Sequence, residues 1–288
     1  MQLKGSRTEE NLRKAFQREL QAQASYRYFA SAAREAGLEE VADIFLATAQ
    51  NEAEHARHEF SFLGDVGDAE ANLKLAIGRE HEEATRLYPE AAEVAEEEGF
   101  AEIADFFRRM GKVEERHEKN YRELLDTLNK GETFEGRTVG YSAIEMAQLM
   151  LPNQTNPAGF VHGGELMKLM DNAAGVVAAR HSHANVVTAL VEGINFHSPV
   201  RVGDLVIVHG RITFTSRSSM EIQIEVEAEN LLTGKRLQVL TSYYIMVAVD
   251  AEGKPIEVPP LIVSTEEEER LFNEGLARYQ ARKAKSGK

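Results

Sequence analysis

Two short motifs in the N-terminal half of the chain could bind metal ions. Glu52 and His55 form a Glu-x-x-His motif, and Glu114 and His117 form a second one. On a helix, residues i and i+3 lie on one face about one turn from each other, so the carboxylate and the imidazole can coordinate one metal ion. The chain contains no cysteine. Any metal must therefore use histidine and oxygen ligands, which favours iron or manganese over copper(I).

The position of these motifs within an internal repeat distinguishes them from chance. Glutamate is so common in this half that a Glu three residues before a His is unremarkable alone, and a Glu-rich helix face is usually only solvated. Residues 37–45, however, match residues 99–107, and the same shift superimposes the two motifs. Glu19 and Glu80 correspond by nearly the same shift. Two duplicated helical hairpins, and hence a bundle of four helices, are predicted.

Residues 7–130 resemble rubrerythrin, a member of the ferritin-like superfamily. The resemblance rests on residues 24–30 (ASYRYFA), 52–56 (EAEHA), 88–90 (YPE) and 94–100 (VAEEEGF). It implies a di-iron centre, with manganese or a mixed metal pair as alternatives. The implied ligands are Glu19, Glu52, His55, Glu80, Glu83, Glu114 and His117. Tyr26 and Tyr88 match tyrosines near the metals in that family, with ordinary core tyrosines as the alternative.

The resemblance also carries an activity, because rubrerythrins reduce hydrogen peroxide at the di-iron centre. Without cysteine the chain has no rubredoxin module to deliver electrons. A peroxidase built on this domain would therefore need a separate electron donor.

A second possible site lies in the C-terminal half, where Asp171 interrupts an apolar segment. Residues 165–179 form a predicted helix that is apolar on nearly all sides, and such a helix is expected to be buried. A buried carboxylate is costly unless it is paired or hydrogen-bonded. Asp171 is therefore either a group with a tuned pKa or a residue on one wet stripe with Lys168 or Asn172.

The start of this helix could bind a carbonyl oxygen. Gly163 and Gly164 leave backbone N–H groups accessible there, and the helix dipole adds positive potential. Such donors stabilise the negative charge that develops on a carbonyl oxygen during acyl transfer. By itself, a Gly-Gly pair before a helix is often only a turn.

Residues from about 141 to 285 resemble the hotdog-fold acyl-CoA thioesterases, specifically the cytosolic acyl-CoA hydrolase branch. The matching stretches include residues 156–159 (NPAG), 162–164 (HGG), 169–171 (LMD), 195–199 (NFHSP) and 215–221 (TSRSSME). The resemblance implies a long helix wrapped by an antiparallel sheet. It also implies hydrolysis of acyl-CoA to a free fatty acid and coenzyme A, in sites formed between two hotdog units.

The same resemblance implies a role for each site residue. Asp171 would be the general base or the nucleophile toward the thioester, and Asn156 would orient the water or the acyl group. The backbone of Gly163 and Gly164 would polarise the carbonyl. Because one chain carries both Asn156 and Asp171, a homodimer or higher homo-oligomer is expected. The other residues placed on the substrate are His162, Arg217, Ser218 and Ser219, with a structural role for His162 and a plain surface position for Arg217 as alternatives.

These residues require two kinds of domain to position them. Helical periodicity dominates before residue 136, and the β-rich runs after it are residues 186–196, 205–214, 220–226 and 237–249. We predict an all-α ferritin-like four-helix bundle in residues 1–136. An α+β hotdog domain is predicted in residues 137–288, ending in a helix whose last residues fray.

Charge and composition restrict the partners. The formal net charge is −14, which argues against nucleic acid and anionic membrane surfaces. No apolar stretch reaches the ~20 residues of a membrane helix. The N-terminus lacks the apolar core of a signal peptide. A cytoplasmic protein without membrane or nucleic-acid partners is expected.

Three functions fit these features. The first is an acyl-CoA hydrolase fused to a di-metal domain that consumes peroxide or senses redox state. The second is a di-metal peroxidase or oxidase whose hotdog domain mainly oligomerises or binds acyl-CoA. Asn156 and Asp171 argue against the second, since a scaffold needs neither. The third is a non-catalytic protein that binds acyl-CoA or stores metal.

Overall fold

The structure is a computed structural model that describes residues 3–286. The helices are α1 (Arg7–Glu35), α2 (Glu39–Leu63), α3 (Ala69–Glu82), α4 (Tyr88–Glu97), α5 (Ala101–Lys130), α6 (Val139–Ser142), α7 (Gly163–Ser182) and α8 (Glu266–Ser286). The strands are β1 (Arg137–Thr138), β2 (Ile144–Leu149), β3 (Asn185–Glu192), β4 (Asp204–Thr215), β5 (Ser219–Asn230), β6 (Arg236–Val249) and β7 (Leu261–Ile262).

No helix within residues 3–286 is long and apolar enough to cross a membrane. Residues 287 and 288, where fraying is predicted, lie outside the described residues. The chain forms two compact units that divide between Gly78 and Arg79. The domain boundary near residue 136 stays a prediction.

The first unit is built on the hairpin of α1 and α2. Gly37 has a φ of 75° and turns the chain between the two helices, a conformation that favours glycine. Small buried residues at the contact, Ala30, Ala33 and Ala42, let the two backbones approach closely, and Phe45 packs against them. The hairpin predicted from the repeat is present.

The second unit begins at Arg79, near the end of α3, and contains most of the matching hairpin. Helices α3 and α4 are continuous through a π-helical turn, Glu83–Leu87, and α4 packs against α5. Gly99, with a φ of 85°, occupies the place that Gly37 has in the first hairpin. Ala104 is buried as Ala42 is. The helical N-terminal region predicted from the sequence is therefore confirmed.

The rest of the second unit is a sheet wrapped around one long helix. Five strands form an antiparallel sheet in the order β2-β4-β5-β6-β3, and α7 packs against it. Gly210 in β4 permits this contact, because a Cβ there would lie 2.9 Å from Val177 Cγ2 of α7. The hotdog fold predicted for this half is confirmed.

Helix α8 is fastened to the same sheet by a group of polar side chains. Glu221 of β5 is buried, and Arg278 and Arg282 of α8 reach its carboxylate. Thr213 of β4 donates a hydrogen bond to the same carboxylate. We call these four residues the Glu221 cluster. Nothing in the periodicity of the sequence indicated that Glu221 is buried.

Candidate functional site

The first metal-binding candidate is a triad in the first unit formed by Glu19 of α1 with Glu52 and His55 of α2. His55 Nδ1 lies 2.9 Å from Glu52 Oε2 and 4.0 Å from Glu19 Oε2. One ligand atom of each residue lies within 4.8 Å of the others. The hydrogen bond with Glu52, burial and the neighbouring negative charge of Glu52 raise the pKa of Glu19. Crowded carboxylates of this kind are stabilised by a bound cation.

The second candidate repeats this triad in the second unit with Glu80, Glu114 and His117. His117 Nδ1 lies 2.7 Å from Glu114 Oε2 and 3.4 Å from Glu80 Oε2. Burial raises the pKa of Glu80, and its contact with Glu114 raises it further. Burial alone would lower the pKa of His117, but the Ser264 carbonyl and the two carboxylates outweigh it and raise the pKa.

Glu83, the seventh predicted ligand, belongs to neither triad. It lies one turn after Glu80, half-buried, at the first residue of the π-helical turn. Such turns inside α-helices are frequent at functional sites. Burial raises the pKa of Tyr88, and the charges of Glu114, Glu83 and Glu80 add to that shift. Tyr88 therefore lies beside the second triad, whereas Tyr26 packs against Phe45.

The donor sets of both triads fit a hard or borderline divalent metal. Each offers two carboxylates and one imidazole nitrogen within reach of one ion. Iron and manganese accept this mixture of oxygen and imidazole ligands. The predicted pairing of Glu-x-x-His with a carboxylate from the preceding helix is present in both units.

In the hotdog domain, Asn156 lies in an ordered loop. Its Oδ1 accepts hydrogen bonds from the backbone N–H groups of Ala158, at 2.9 Å, and Phe160, at 3.3 Å. These bonds fix the side chain through its carbonyl oxygen. A cavity of about 380 Å³ opens beside it, lined by Asn156, Phe160, Val161, Gly163, Leu166, Phe196, His197, Ser198, Pro199 and Val200.

Asp171 is exposed, so the expectation of a helix buried on nearly all sides is wrong for the single chain. Only one face of α7 contacts the sheet, and Met167 and Val176 on the other face are 41% and 42% exposed. Thr188 of β3 donates a hydrogen bond of 2.6 Å to Asp171 Oδ1. The carboxylate also lies near Tyr244, whose pKa burial and the Asp171 charge raise to about 12.

Asn156 and Gly163 share the loop cavity, but Asp171 does not line it. The hydrogen-bond partner of the Asp171 carboxylate is Thr188, and not Lys168 or Asn172 on the solvent-exposed face of the same helix. Thr188 was missed because strand position relative to α7 cannot be read from local sequence.

At the start of α7, one of the two backbone N–H groups predicted to bind a carbonyl oxygen is already hydrogen-bonded. His162 Nδ1 accepts the backbone N–H of Gly164 at 3.1 Å and caps the helix. The Gly164 N–H is therefore already satisfied, so its predicted role in polarising a carbonyl is a poor fit. Gly163 remains as the backbone donor at the cavity, and its Cα faces the Phe196 ring. The Nδ1 atom of His162 therefore has a structural role, as the cap of α7.

The predicted CoA contacts lie elsewhere, at the turn between β4 and β5. The Arg217 side chain is 84% exposed and its Nε lies 2.7 Å from Glu257 Oε1. Ser219 Oγ lies 2.7 Å from Ser216 Oγ, and the Ser218 carbonyl accepts the N–H of Ala248. None of these residues lines the loop cavity. Their role on the substrate stays a prediction.

These features define a helical carboxylate–histidine protein joined to a hotdog-fold domain. Comparison with known proteins supplies the families. The family model for rubrerythrin matches residues 10–125 and 70–156, and that for the thioesterase superfamily matches residues 158–235. The chain belongs to the rubrerythrin family through its N-terminal half and to the thioesterase superfamily through its C-terminal half.

Individual relatives agree with this division. The rubrerythrin of Porphyromonas gingivalis is 45% identical over 146 residues, which cover 46% of this chain and 73% of that protein. The cytosolic acyl coenzyme A thioester hydrolase of Rattus norvegicus is 45% identical over 153 residues, 52% of this chain, and the chain spans only 40% of its length. The crystal structure of an apo-hexameric acyl-CoA thioesterase matches with a TM-score of 0.51 and 38% identity, covering 53% of this chain and 98% of that one.

Proposed function

We propose that the chain is an acyl-CoA thioesterase that hydrolyses acyl-CoA to a free fatty acid and coenzyme A. The observation that carries this proposal is the Asp171 carboxylate, accessible on α7 and oriented by Thr188 at 2.6 Å. A helix that served only to pack against the sheet would not require a carboxylate oriented by a threonine hydroxyl. The relatives named as acyl-CoA thioester hydrolases and thioesterases support the substrate class.

Each group has a defined task in this reaction. Thr188 occupies Oδ1 of Asp171, which leaves Oδ2 to take a proton from water or to attack the thioester carbon. The N–H of Gly163, at the positive end of α7, stabilises charge on the carbonyl oxygen. Asn156, which lines the loop cavity, orients the water or the acyl group there. With Asp171 as base, the water oxygen bonds to the acyl carbon as the carbon–sulfur bond breaks, the fatty acid is released, and the proton taken by Asp171 goes to the thiol of coenzyme A. With Asp171 as nucleophile, the carbon–sulfur bond breaks as the acyl group bonds to Oδ2, and water then hydrolyses this anhydride to the fatty acid.

The site is completed by a second copy of the chain. Asp171 does not line the cavity of Asn156, and both are accessible on the same chain. Two copies that place α7 of one against the loop of the other would create two equivalent sites. The hexameric assembly of the matched thioesterase supports a homo-oligomer. A cytoplasmic location is proposed with it, since the rat relative is named cytosolic.

The test is release of free thiol from acyl-CoAs of short to long chain length by wild type and by Asp171→Asn. We expect the variant to lose roughly 10²–10⁴-fold in kcat, the usual contribution of a general base. Glu252→Gln, which makes the same change at an exposed turn, is the matched control and should keep wild-type rates. Wild-type rates in Asp171→Asn would refute the assignment.

A second function is favoured by the two triads. We propose that the seven residues Glu19, Glu52, His55, Glu80, Glu83, Glu114 and His117 hold two iron ions, with manganese or a mixed pair as alternatives. Bound iron would supply reduction of peroxide, with electrons from a separate donor. The carboxylates and Nδ1 of each histidine would bind the ions, and each Nδ1 would give up its proton on binding.

Metal analysis after anaerobic loading with Fe(II) tests this second function. Wild type should hold about two irons per chain, whereas Glu52→Gln and Glu114→Gln should each lose binding. Equal iron content in wild type and in Glu114→Gln would refute the ligand assignment. Peroxide-dependent oxidation of the loaded protein then separates a redox role from storage.

A further inference from the structure

His117 makes a contact that has no counterpart in the first hairpin. Its Nε2 lies 2.6 Å from the backbone carbonyl oxygen of Ser264, in the segment that enters α8 of the hotdog domain. On the other side of the ring, Nδ1 faces the carboxylates of Glu114 and Glu80. The imidazole therefore bridges the second triad and the hotdog domain within one compact unit.

The chemistry of the ring fixes what each nitrogen does. A carbonyl oxygen can only accept, so Nε2 must carry a proton and donate it to Ser264. A metal ion at the triad would take the lone pair of Nδ1 in place of the proton that joins Nδ1 to Glu114. Histidine ligands in metal proteins almost always donate their other N–H to a carboxylate, a carbonyl or water, which sets the tautomer and the ring orientation. The Ser264 carbonyl meets this description.

The Ser264 carbonyl is itself held in place at the start of α8. The Ser264 N–H donates to Glu268 Oε2 at 2.7 Å, and the Glu268 N–H donates to Thr265 Oγ1 at 3.1 Å. The Thr265 hydroxyl thus caps the start of α8, and the Glu268 carboxylate reaches back to the residue before the cap. Helix α5 contacts the same segment through Arg109, whose Nη1 lies 2.6 Å from Glu266 Oε1, and through Arg116, which pairs with Glu269.

The first hairpin provides an internal comparison. The His55 side chain is 60% exposed, against 27% for His117. Among the described residues, His55 is hydrogen-bonded to Glu52 through Nδ1, and its Nε2 has no protein partner. The two histidines thus share a motif and a triad but differ in what lies behind the ring.

We propose that the Ser264 carbonyl positions the metal ligand His117, and that a metal ion at the second triad thereby orders the start of α8. This inference rests on the proposed metal site. A bound ion holds the imidazole ring, the ring holds Ser264, and the capped turn holds the first residues of α8. Because α8 is fastened to the sheet through the Glu221 cluster, the state of the metal site is transmitted to the hotdog domain.

Hydrogen exchange of the full-length chain tests the inference, followed by mass spectrometry on peptides that contain residues 263–269. Exchange there should be roughly fivefold slower after anaerobic addition of Fe(II) to metal-free wild type, as expected for one added hydrogen-bonded constraint. His117→Ala should abolish the effect and raise exchange in the metal-free protein. His55→Ala, the matched control, should leave metal-free exchange in this peptide unchanged.

The outcomes distinguish a failure of the His117–Ser264 link from a failure of the metal site itself. If iron binds to wild type and exchange in residues 263–269 does not change, the link is refuted while the metal site stands. If metal-free His117→Ala and His55→Ala exchange alike in this peptide, the positioning role of Ser264 is refuted. If wild type binds no iron, the metal site itself is refuted, and the inference with it.

Discussion

Replacement of Arg278 by leucine should show how much the Glu221 cluster stabilises the hotdog domain. Glu221 is 1% exposed. Arg278 reaches it with Nη2 at 2.7 Å from Oε1 and with Nε at 3.2 Å from Oε2. After Arg278→Leu the buried carboxylate keeps Thr213 at 3.0 Å and Arg282 at 3.4 Å. The charge is then only partly compensated.

The expected cost follows from that residual pairing. Breaking a buried ion pair by removing one partner costs about 3–5 kcal/mol, because the remaining charge stays buried. Arg282 still contacts the carboxylate, so we expect the lower end, about 3 kcal/mol of unfolding free energy. For a domain of this size the loss corresponds to a fall of about 6–12 °C in Tm.

Urea unfolding followed by circular dichroism measures the effect. The matched control is Arg270→Leu on the same helix, which breaks an exposed pair with Glu274, and we expect a loss below about 0.5 kcal/mol. Glu221→Gln in the Arg278→Leu background should recover part of the stability, since a neutral amide needs no counter-charge. A loss in Arg278→Leu no larger than in Arg270→Leu would refute the reasoning.

Two further variants probe the same domain. Gly275→Ala places a Cβ 2.7 Å from Phe214 Cβ. Although alanine favours helices, this clash should lower the urea midpoint by the equivalent of about 1–3 kcal/mol of unfolding free energy. An unchanged or higher midpoint would contradict the tight contact. Burial lowers the pKa of His181 below the 6.5 of an ordinary histidine. As the pH falls through 6.5, the unfolded chain therefore binds a proton at this histidine before the folded protein does, and the folded protein loses stability. His181→Gln should remove a slope of up to about 1.4 kcal/mol per pH unit between pH 7 and 5, and equal slopes in both proteins would contradict this assignment.

The metal triads were accessible from the sequence because the helix period fixes which side chains meet. The spacing of Glu52 and His55 places both on one face, and the repeat transfers that relation to the second hairpin. Glu83 lies outside both triads, at the first residue of a π-helical turn that the α-helical period does not predict. The contact of His117 with Ser264 joins residues far apart in the chain, and no local signal marks it.

The hotdog domain shows the same division between local and long-range information. The loop at Asn156 and the stretch 195–199 were both singled out, and residues of both line one cavity. The exposure of Asp171 was not predicted, because an apolar helix face looks the same whether the sheet or a second copy covers it. The N–H of Gly164 was assigned to substrate, whereas the His162 side chain accepts it as a cap, and that contact depends on backbone geometry.

The central claim is that Asn156 and Asp171 of two different copies form one thioesterase site. The direct test is co-expression of Asn156→Ala chains with Asp171→Asn chains, followed by acyl-CoA hydrolysis by the purified mixture. Each variant alone should be inactive. Random pairing makes half of the dimers mixed, with one intact site each, so the mixture should recover about a quarter of the wild-type rate. A mixture no more active than its separate components would contradict the shared site.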